Sequence, residues 1–219
     1  MSQAKRNAAI AAINYLLENY PEPQIIGIGT GSTTNLFIEE LALQPQLVST
    51  TVSSSLASSQ LLEHYKIPVT NFNDIDLLPI YIDGADSFNK ERQLIKGHGG
   101  ALLREKILAY HAQKFICLID DSKKQSILGT AYVPLEVLPM ARSCVARQIV
   151  KLHGQPHYRE NFKTDNGNII LDVFGWQLGQ AIAFEQQLNN IPGIVCNGIF
   201  AVRPADMLII GNSNGASIY

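Results

Sequence analysis

The chain has 219 residues, 46% of them hydrophobic, and a formal net charge of −2. That length and apolar content can bury a sizeable core within one domain or one and a half. Lys and Arg are scattered, so no electrostatic footprint for nucleic acid or an anionic membrane is visible, and no apolar run approaches the roughly 20 residues a membrane span needs. A small polar ligand is the expected partner.

Cys117, Cys144 and Cys196 are widely spaced, odd in number and form no C-x-x-C pair. They suggest neither a disulfide framework nor a zinc knuckle, and are expected to be buried small hydrophobes in a reducing cytoplasm.

The opening stretch MSQAKRNAAIAAINYLL sets Lys5 and Arg6 before an alanine-rich run, superficially as in a signal peptide. Asn14 interrupts that run, and Ile10, Ile13, Leu17 and Tyr20 recur at helical spacing, so an amphipathic surface helix is expected.

Next comes IIGIGTGSTT, with Gly27, Gly29 and Gly31 at alternate positions. Bare glycines let main-chain N–H groups approach a guest and permit φ > 0, and the best-suited guest is an anion. A dinucleotide fingerprint would need Gly or Ala where Ser32 stands, and no Walker lysine follows. What remains is a loop opening into a helix at Thr33 or Thr34, where free N–H groups and the dipole favour a phosphate. The hydroxyls of Thr30, Ser32 and Thr33 would add donors; a plain capped turn is the alternative. Ser53 to Ser55 either add hydroxyls to the same crevice or cap the next helix.

The apolar runs QIIGIG, LVSTTVS, LLPIYID and KFICLID alternate with the helical patterns TTNLFIEELA, SSQLLEHYK and GGALLREKILAYHA. Such alternation predicts a Rossmann-like α/β fold, an open, mainly parallel sheet flanked by helices. Ligands of such sheets collect beyond the carboxyl ends of the strands, and polar groups follow Ile28, Ile82 and Ile119.

In the second of these, Asp83 and Asp86 flank Gly84-Ala85. A carboxylate pair moves protons between oxygens or helps to hold a metal, although an Asp-Gly turn is common in any α/β protein. In LIKGHGGALLREK, Gly97, Gly99 and Gly100 form an N–H-rich turn before a helix. Lys96 would place a positive charge where an oxyanion develops, and Glu105 would abstract a proton if Leu102, Leu103 and Ile107 desolvate it. The alternatives are a solvated lysine and a glutamate paired with a neighbouring charge. His98 stands alone in its turn, the other histidines lack metal-ligand spacing, and no G-x-S-x-G elbow is present. Lys123 either reaches a phosphate or is solvated.

From about Ala131 the texture changes. YVPLEVLP reads as a strand, ARSCVARQIVKLHG as a helix, and PHYRENFKTDNGNIILDVFG as a hairpin turning at a type I′ Asn166-Gly167. QAIAFEQQLNN and GIVCNGIFA complete a β-α-β-β-α-β order, the ferredoxin-like α+β pattern. The run DMLIIGN from Asp206 returns to the first sheet. Two domains are expected: residues 1–130 with 206–219, and an inserted smaller one, 131–205.

Taken in order and spacing, GIGTGSTT, DGAD, KGHGGALLREKI and FICLIDDSKK, with VPLEVLPMA and TDNGNIILD, closely resemble ribose-5-phosphate isomerase of type A. The resemblance covers essentially the whole chain. It implies an aldose–ketose isomerase of the non-oxidative pentose phosphate pathway, without metal or cofactor, acting on a phosphorylated pentose. It further implies a cytoplasmic homodimer or homotetramer with neither nucleic acid nor membrane as partner. Carried over by position, Thr30, Gly31, Ser32, Thr33, Asp83, Gly84, Ala85, Asp86, Lys96, Gly97, His98, Gly99 and Lys123 form the implied substrate-binding set, and Glu105 the base. Asp83 is the candidate for proton transfer in ring opening, with Asp86 and Lys96 ordering hydroxyls. Two positions depart from the family pattern: Ser87 stands where Glu is usual, and His98 where Gly is usual. Two other classes stay open, a sugar-phosphate-sensing module on a related sheet and a coenzyme A transferase-like enzyme whose glutamate attacks a thioester.

Overall fold

The computed structural model describes residues 3–219. The chain begins α1 (Gln3–Asn19), β1 (Gln24–Ile28), α2 (Ser32–Leu41), β2 (Val48–Ser53), α3 (Leu56–His64) and β3 (Leu78–Gly84). It continues β4 (Ser87–Phe88), β5 (Leu94–Ile95), α4 (Leu102–His111), β6 (Ala112–Asp120), β7 (Val133–Val137), α5 (Arg142–Lys151), β8 (Gln155–Tyr158) and β9 (Ile169–Phe174). Last come α6 (Ala181–Asn189), β10 (Ile194–Asn197), β11 (Ile199–Phe200), β12 (Met207–Asn212) and β13 (Gly215–Ile218).

These elements cluster into two compact units, one of Met1–Ala85, Ile107–Lys123 and Ala205–Tyr219, the other of Asp86–Lys106 and Lys124–Pro204. The segment 86–106, which the sequence places with the first domain, belongs to the second unit. The reason is pairing: β5 lies antiparallel to β11, with Ile199 opposite Ile95 and Phe200 opposite Leu94. Two-residue strands are too short to announce themselves in a sequence.

The first unit holds a six-stranded sheet in the order β13-β12-β6-β3-β1-β2, parallel except for the β12–β13 hairpin at its edge. Isoleucine and leucine recur along the inner strands because both faces are covered; Ile26, Ile28, Ile80, Ile82, Ile116, Leu118 and Ile209 are all buried. Strand order reverses between β1 and β3, and the carboxyl ends of those two strands frame the crevice where open α/β sheets bind ligands.

Helix α1 forms as expected over the described part of its stretch, and Ile13 of the expected stripe is buried with Tyr20 packed against the core, but the buried face is centred on alanines. Ala8, Ala9, Ala12, Ile13 and Leu16 are buried, whereas Ile10 is 39% and Leu17 41% exposed. Close packing explains the choice: a Cβ at Gly211 of β12 would lie 1.9 Å from the Ala4 carbonyl, so only an alanine face fits so near the strand.

The second unit contains a four-stranded antiparallel sheet in the order β10-β7-β9-β8, which is the 4-1-3-2 order of a ferredoxin-like β-α-β-β-α-β unit. Val133, Leu135, Val137, Ile169, Leu171 and Val173 alternate onto the face that packs with Val145, Ile149 and Leu188 of the helices. The other face is buried too, by a cluster of Leu102, Ile170 and Cys196 backed by Phe162.

Three details differ from the sequence reading. Asn166 does not take the positive φ that a type I′ turn demands; Gly167 does, at 81°, and its N–H returns to the Thr164 carbonyl at 2.9 Å. GIVCNGIFA is two strands broken at Gly198, whose N–H bonds the Pro134 carbonyl at 2.8 Å. Cys117 and Cys196 are buried, but Cys144 is exposed.

Candidate active site

In the first unit the glycine turn follows β1 directly. Gly29 donates to the Ile82 carbonyl at 2.8 Å, which draws the turn onto the end of β3. The spaces left by two of its glycines are already filled by the protein. A Cβ at Gly27 would lie 2.9 Å from the Tyr81 ring, and one at Gly29 would lie 1.8 Å from the Asp83 carboxylate. The anion that the bare backbone admits at Gly29 is therefore Asp83. Its Oδ1 accepts the Thr30 N–H at 3.0 Å, the Gly84 N–H at 2.7 Å and the Thr34 hydroxyl at 3.3 Å, while Oδ2 accepts a short bond from the Tyr81 hydroxyl. Asp83 is fully buried.

Gly31 is different: it has φ of 132°, and a Cβ there would meet nothing within 4 Å. It precedes α2 and leaves that helix without a side-chain cap, so the first-turn N–H groups are available to a ligand. Ser32 beside it is exposed, and its hydroxyl accepts from Lys5 Nζ at 2.9 Å, a cation that motif reading does not single out. A cleft of about 520 Å³ opens here, lined by Thr30, Gly31, Ser32 and His64 among others. Of the three serines, Ser53 takes neither role expected of them and bonds the Ser55 carbonyl at 2.8 Å and the Ser59 hydroxyl at 2.7 Å, whereas the other two cap or reach Thr30. Ser55 caps α3 by accepting the Ser58 N–H at 3.1 Å, and Ser54 and Ser55 hold the Thr30 hydroxyl at 2.8 Å each. Thr33 is buried in the first turn of α2. Lys123 ends a short helical turn after β6, Asp121–Lys123.

In the second unit, Lys96 follows β5 and Glu105 stands in the first turn of α4. Between them Gly97 and Gly100 adopt φ of 98° and 83°, and Gly100 donates to the Gly97 carbonyl at 2.9 Å. The tight turn brings Lys96 Nζ to 3.3 Å from Glu105 Oε2, with the two side chains only 2% and 4% exposed. Lys96 is thus not a solvated lysine, and Ile107, invoked to desolvate Glu105, is instead 39% exposed. Gly99 lies exposed at the apex of the turn.

Asp86 accepts the His98 N–H at 3.0 Å through Oδ2, and its Oδ1 lies 3.4 Å from the His98 Nδ1. The His98 ring stacks on Tyr132, with centroids 3.9 Å apart and planes 12° from parallel. The imidazole at the unusual position thus packs against Tyr132 and faces a carboxylate. Ser87, the other departure, is buried in β4. Among the described residues no group of three or more His, Cys, Asp or Glu side chains is arranged to hold a metal ion.

A water-poor lysine–carboxylate pair beside a glycine turn gives this α/β protein the kinds of group that proton transfer at carbon requires. The comparisons narrow this class. The family model for ribose 5-phosphate isomerase A (phosphoriboisomerase A) matches residues 50–215. A ribose-5-phosphate isomerase A of Legionella pneumophila (strain Corby) is 51% identical over 217 residues, 99% of each chain. The crystal structure of ribose 5 phosphate isomerase A from Neisseria gonorrhoeae superposes with a TM-score of 0.94 at 44% identity, covering 99% of this chain and 95% of that one. A further solved structure, described as a D-ribose-5-phosphate isomerase in complex with phospho-erythronic acid, has a TM-score of 0.91 at 33% identity, over 99% and 97% of the two chains. This chain belongs to the ribose 5-phosphate isomerase A family.

Proposed function

We propose that the chain interconverts D-ribose 5-phosphate and D-ribulose 5-phosphate through an enediolate, as a step of the non-oxidative pentose phosphate pathway. Family membership supports the reaction, and the buried Lys96–Glu105 pair at 3.3 Å is the observation that carries it onto residues. Moving a carbonyl between adjacent carbons requires taking a proton from one and returning it to the other, which one carboxylate does as base and then acid. Glu105 is that carboxylate, and its burial keeps bulk water from the proton in transit. The Lys96 ammonium faces the oxygen that gains charge, and losing such a donor costs about 3 to 4 kcal/mol in comparable sites.

Ring opening needs a proton moved at oxygen. The sequence gives that role to Asp83, with Asp86 ordering hydroxyls; the hydrogen bonds favour the exchange of these roles. Asp83 is fully buried and holds the turn, whereas the Asp86 side chain is 26% exposed. For the phosphate, the uncapped start of α2, the Ser32 hydroxyl and Lys5 form the receiving set, with Lys123 as a second cation.

A homo-oligomer of two or four cytoplasmic copies fits this reading. Its support is apolar exposure on the second unit, where Met140 is 89% and Leu138 43% exposed. A coupled assay that consumes ribulose 5-phosphate is expected to show turnover of ribose 5-phosphate. Binding without turnover would mark a sensing module, and indifference to the sugar a transferase.

A further inference from the structure

Both members of the Lys96–Glu105 pair are tied to one short segment of the second unit, Asn197–Phe200. On the Lys96 side the tie is backbone: its N–H donates to the Gly198 carbonyl at 2.9 Å, and β5, which ends at Ile95, pairs with β11. A Cβ at Gly198 would lie 2.4 Å from the Lys96 carbonyl, so only glycine lets the two chains meet there. On the Glu105 side the tie is the next residue. Lys106 Nζ donates to the Ile199 carbonyl at 2.6 Å and to Glu185 Oε1 at 2.6 Å, and lies 3.4 Å from Asn197 Oδ1. Those acceptors match the three hydrogens of an ammonium.

The acceptors are themselves fixed. Glu185 is 3% exposed, and its second oxygen accepts the N–H groups of Ala201 and Val202 at 2.8 Å each. Asn197 donates to Asn189 at 2.8 Å and accepts the Ile199 N–H at 3.0 Å. The Phe200 ring faces both ammonium groups, with Lys106 Nζ 4.8 Å and Lys96 Nζ 5.5 Å from its centroid. Lys96 is buried and Lys106 is 20% exposed, and two cations so placed against one ring are costly unless each has its own carboxylate. Lys96 has Glu105, and Lys106 has Glu185.

We propose that Lys106, Glu185 and Gly198 are positioning residues for the isomerisation. The Lys106–Glu185 bridge clamps the first turns of α4 to the strand pair that ends in Lys96, and Gly198 sets the backbone distance between them. The bridge also reserves the Lys106 charge for Glu185, leaving Lys96 as the cation that Glu105 meets. This inference rests on Glu105 being the base.

The test uses the full chain carrying Lys106→Met, Glu185→Gln, or both together, so that position 185 keeps an oxygen for the Ala201 and Val202 N–H groups, each profiled for kcat and KM against pH with ribose 5-phosphate. Each single variant is expected to lose roughly 10- to 100-fold in kcat with KM held within about threefold, because misplacement acts on proton transfer and not on binding. The acid limbs of kcat should move in opposite directions. An uncompensated ammonium in the Glu185→Gln variant favours the nearby carboxylate and moves the limb to lower pH; an orphaned Glu185 in the Lys106→Met variant moves it higher. A loss of packing alone would not give opposite signs.

The double variant removes both charges together and so is expected to fold even where a single variant does not. Its limb should return to the wild-type position while kcat stays low. Limbs that move together, or a folded double variant with kcat within about twofold of wild type, would overturn the proposal. Glu105→Gln is measured alongside. An inactive Glu105→Gln with wild-type behaviour in the other variants rejects the mount alone, and an active Glu105→Gln rejects the base.

Discussion

The carboxylate of Asp83 occupies the space that a side chain at Gly29 would need, 1.8 Å from where its Cβ would stand. The end of β3 thereby supplies the anion around which the turn after β1 is wrapped, and the turn can offer Gly31 and the start of α2 to an outside ligand.

Adding a methyl group at position 29 should therefore be far worse than adding one at position 31. Gly29→Ala collides with a buried, hydrogen-bonded carboxylate and is expected to cost about 3 kcal/mol or to prevent folding. Gly31→Ala meets open space and carries only the strain of φ at 132°, about 1 to 2 kcal/mol. Urea melts of the two variants check the order.

Asp83 and Asp86 should separate in the same kind of experiment. Asp83→Asn places an amide donor among the donors of Thr30, Gly84 and Tyr81, and is expected to lose about 2 to 3 kcal/mol of stability. Asp86→Asn should melt close to wild type and lose about 100-fold in turnover of the cyclic sugar. Thermal melts and a coupled assay on both variants test this. Wild-type stability in the first, or wild-type turnover in the second, would reverse the assignment.

Removing Lys5 should act on binding. Its ammonium meets the Ser32 hydroxyl at 2.9 Å beside the uncapped start of α2. Lys5→Met is expected to raise KM about tenfold or more, the worth of one charge-assisted contact, while kcat stays within about twofold. Steady-state kinetics decide, and a fall in kcat at unchanged KM would count against a phosphate role.

The cysteines should show one fast thiol and a pH effect at the alkaline end. Cys144 is exposed, while Cys117 and Cys196 are buried, so a disulfide reagent should titrate one thiol in the native chain and three after unfolding. Burial pushes the Cys196 thiol up to about 12 from an ordinary 9.0. The folded chain keeps this proton where the unfolded chain has released it. The contribution is complete below about pH 9 and is lost as pH rises toward 12, by about 1.4 kcal/mol per pH unit. Cys196→Ala should flatten that alkaline slope in a denaturant series.

Much of this was legible because it is local. The glycine turns, the polar strand ends and the Lys96–Glu105 strand–turn–helix segment lie within short stretches, and the alternation of apolar runs with helical patterns marks the parallel sheet. What was not legible depends on partners far along the chain. Asp83 finds the turn at Thr30 across 53 residues, and Lys106 finds Glu185 across 79. Periodicity reads only part of the α1 face, because alanine packs a close helix–sheet contact without the bulk that marks an apolar stripe: Ile13 is buried, but Ile10 and Leu17 lie outside the buried face. The turn at Asn166-Gly167 was misread because Thr164 closes it from two residues upstream.

The central claim is that Glu105 alone carries the proton between adjacent carbons of the sugar. The direct measurement is turnover of ribose 5-phosphate by Glu105→Gln, with circular dichroism and melting showing that the variant is folded. The expected result is a folded protein whose kcat has dropped by about 10³-fold or more. A folded variant that turns the sugar over within about tenfold of wild type would contradict the account.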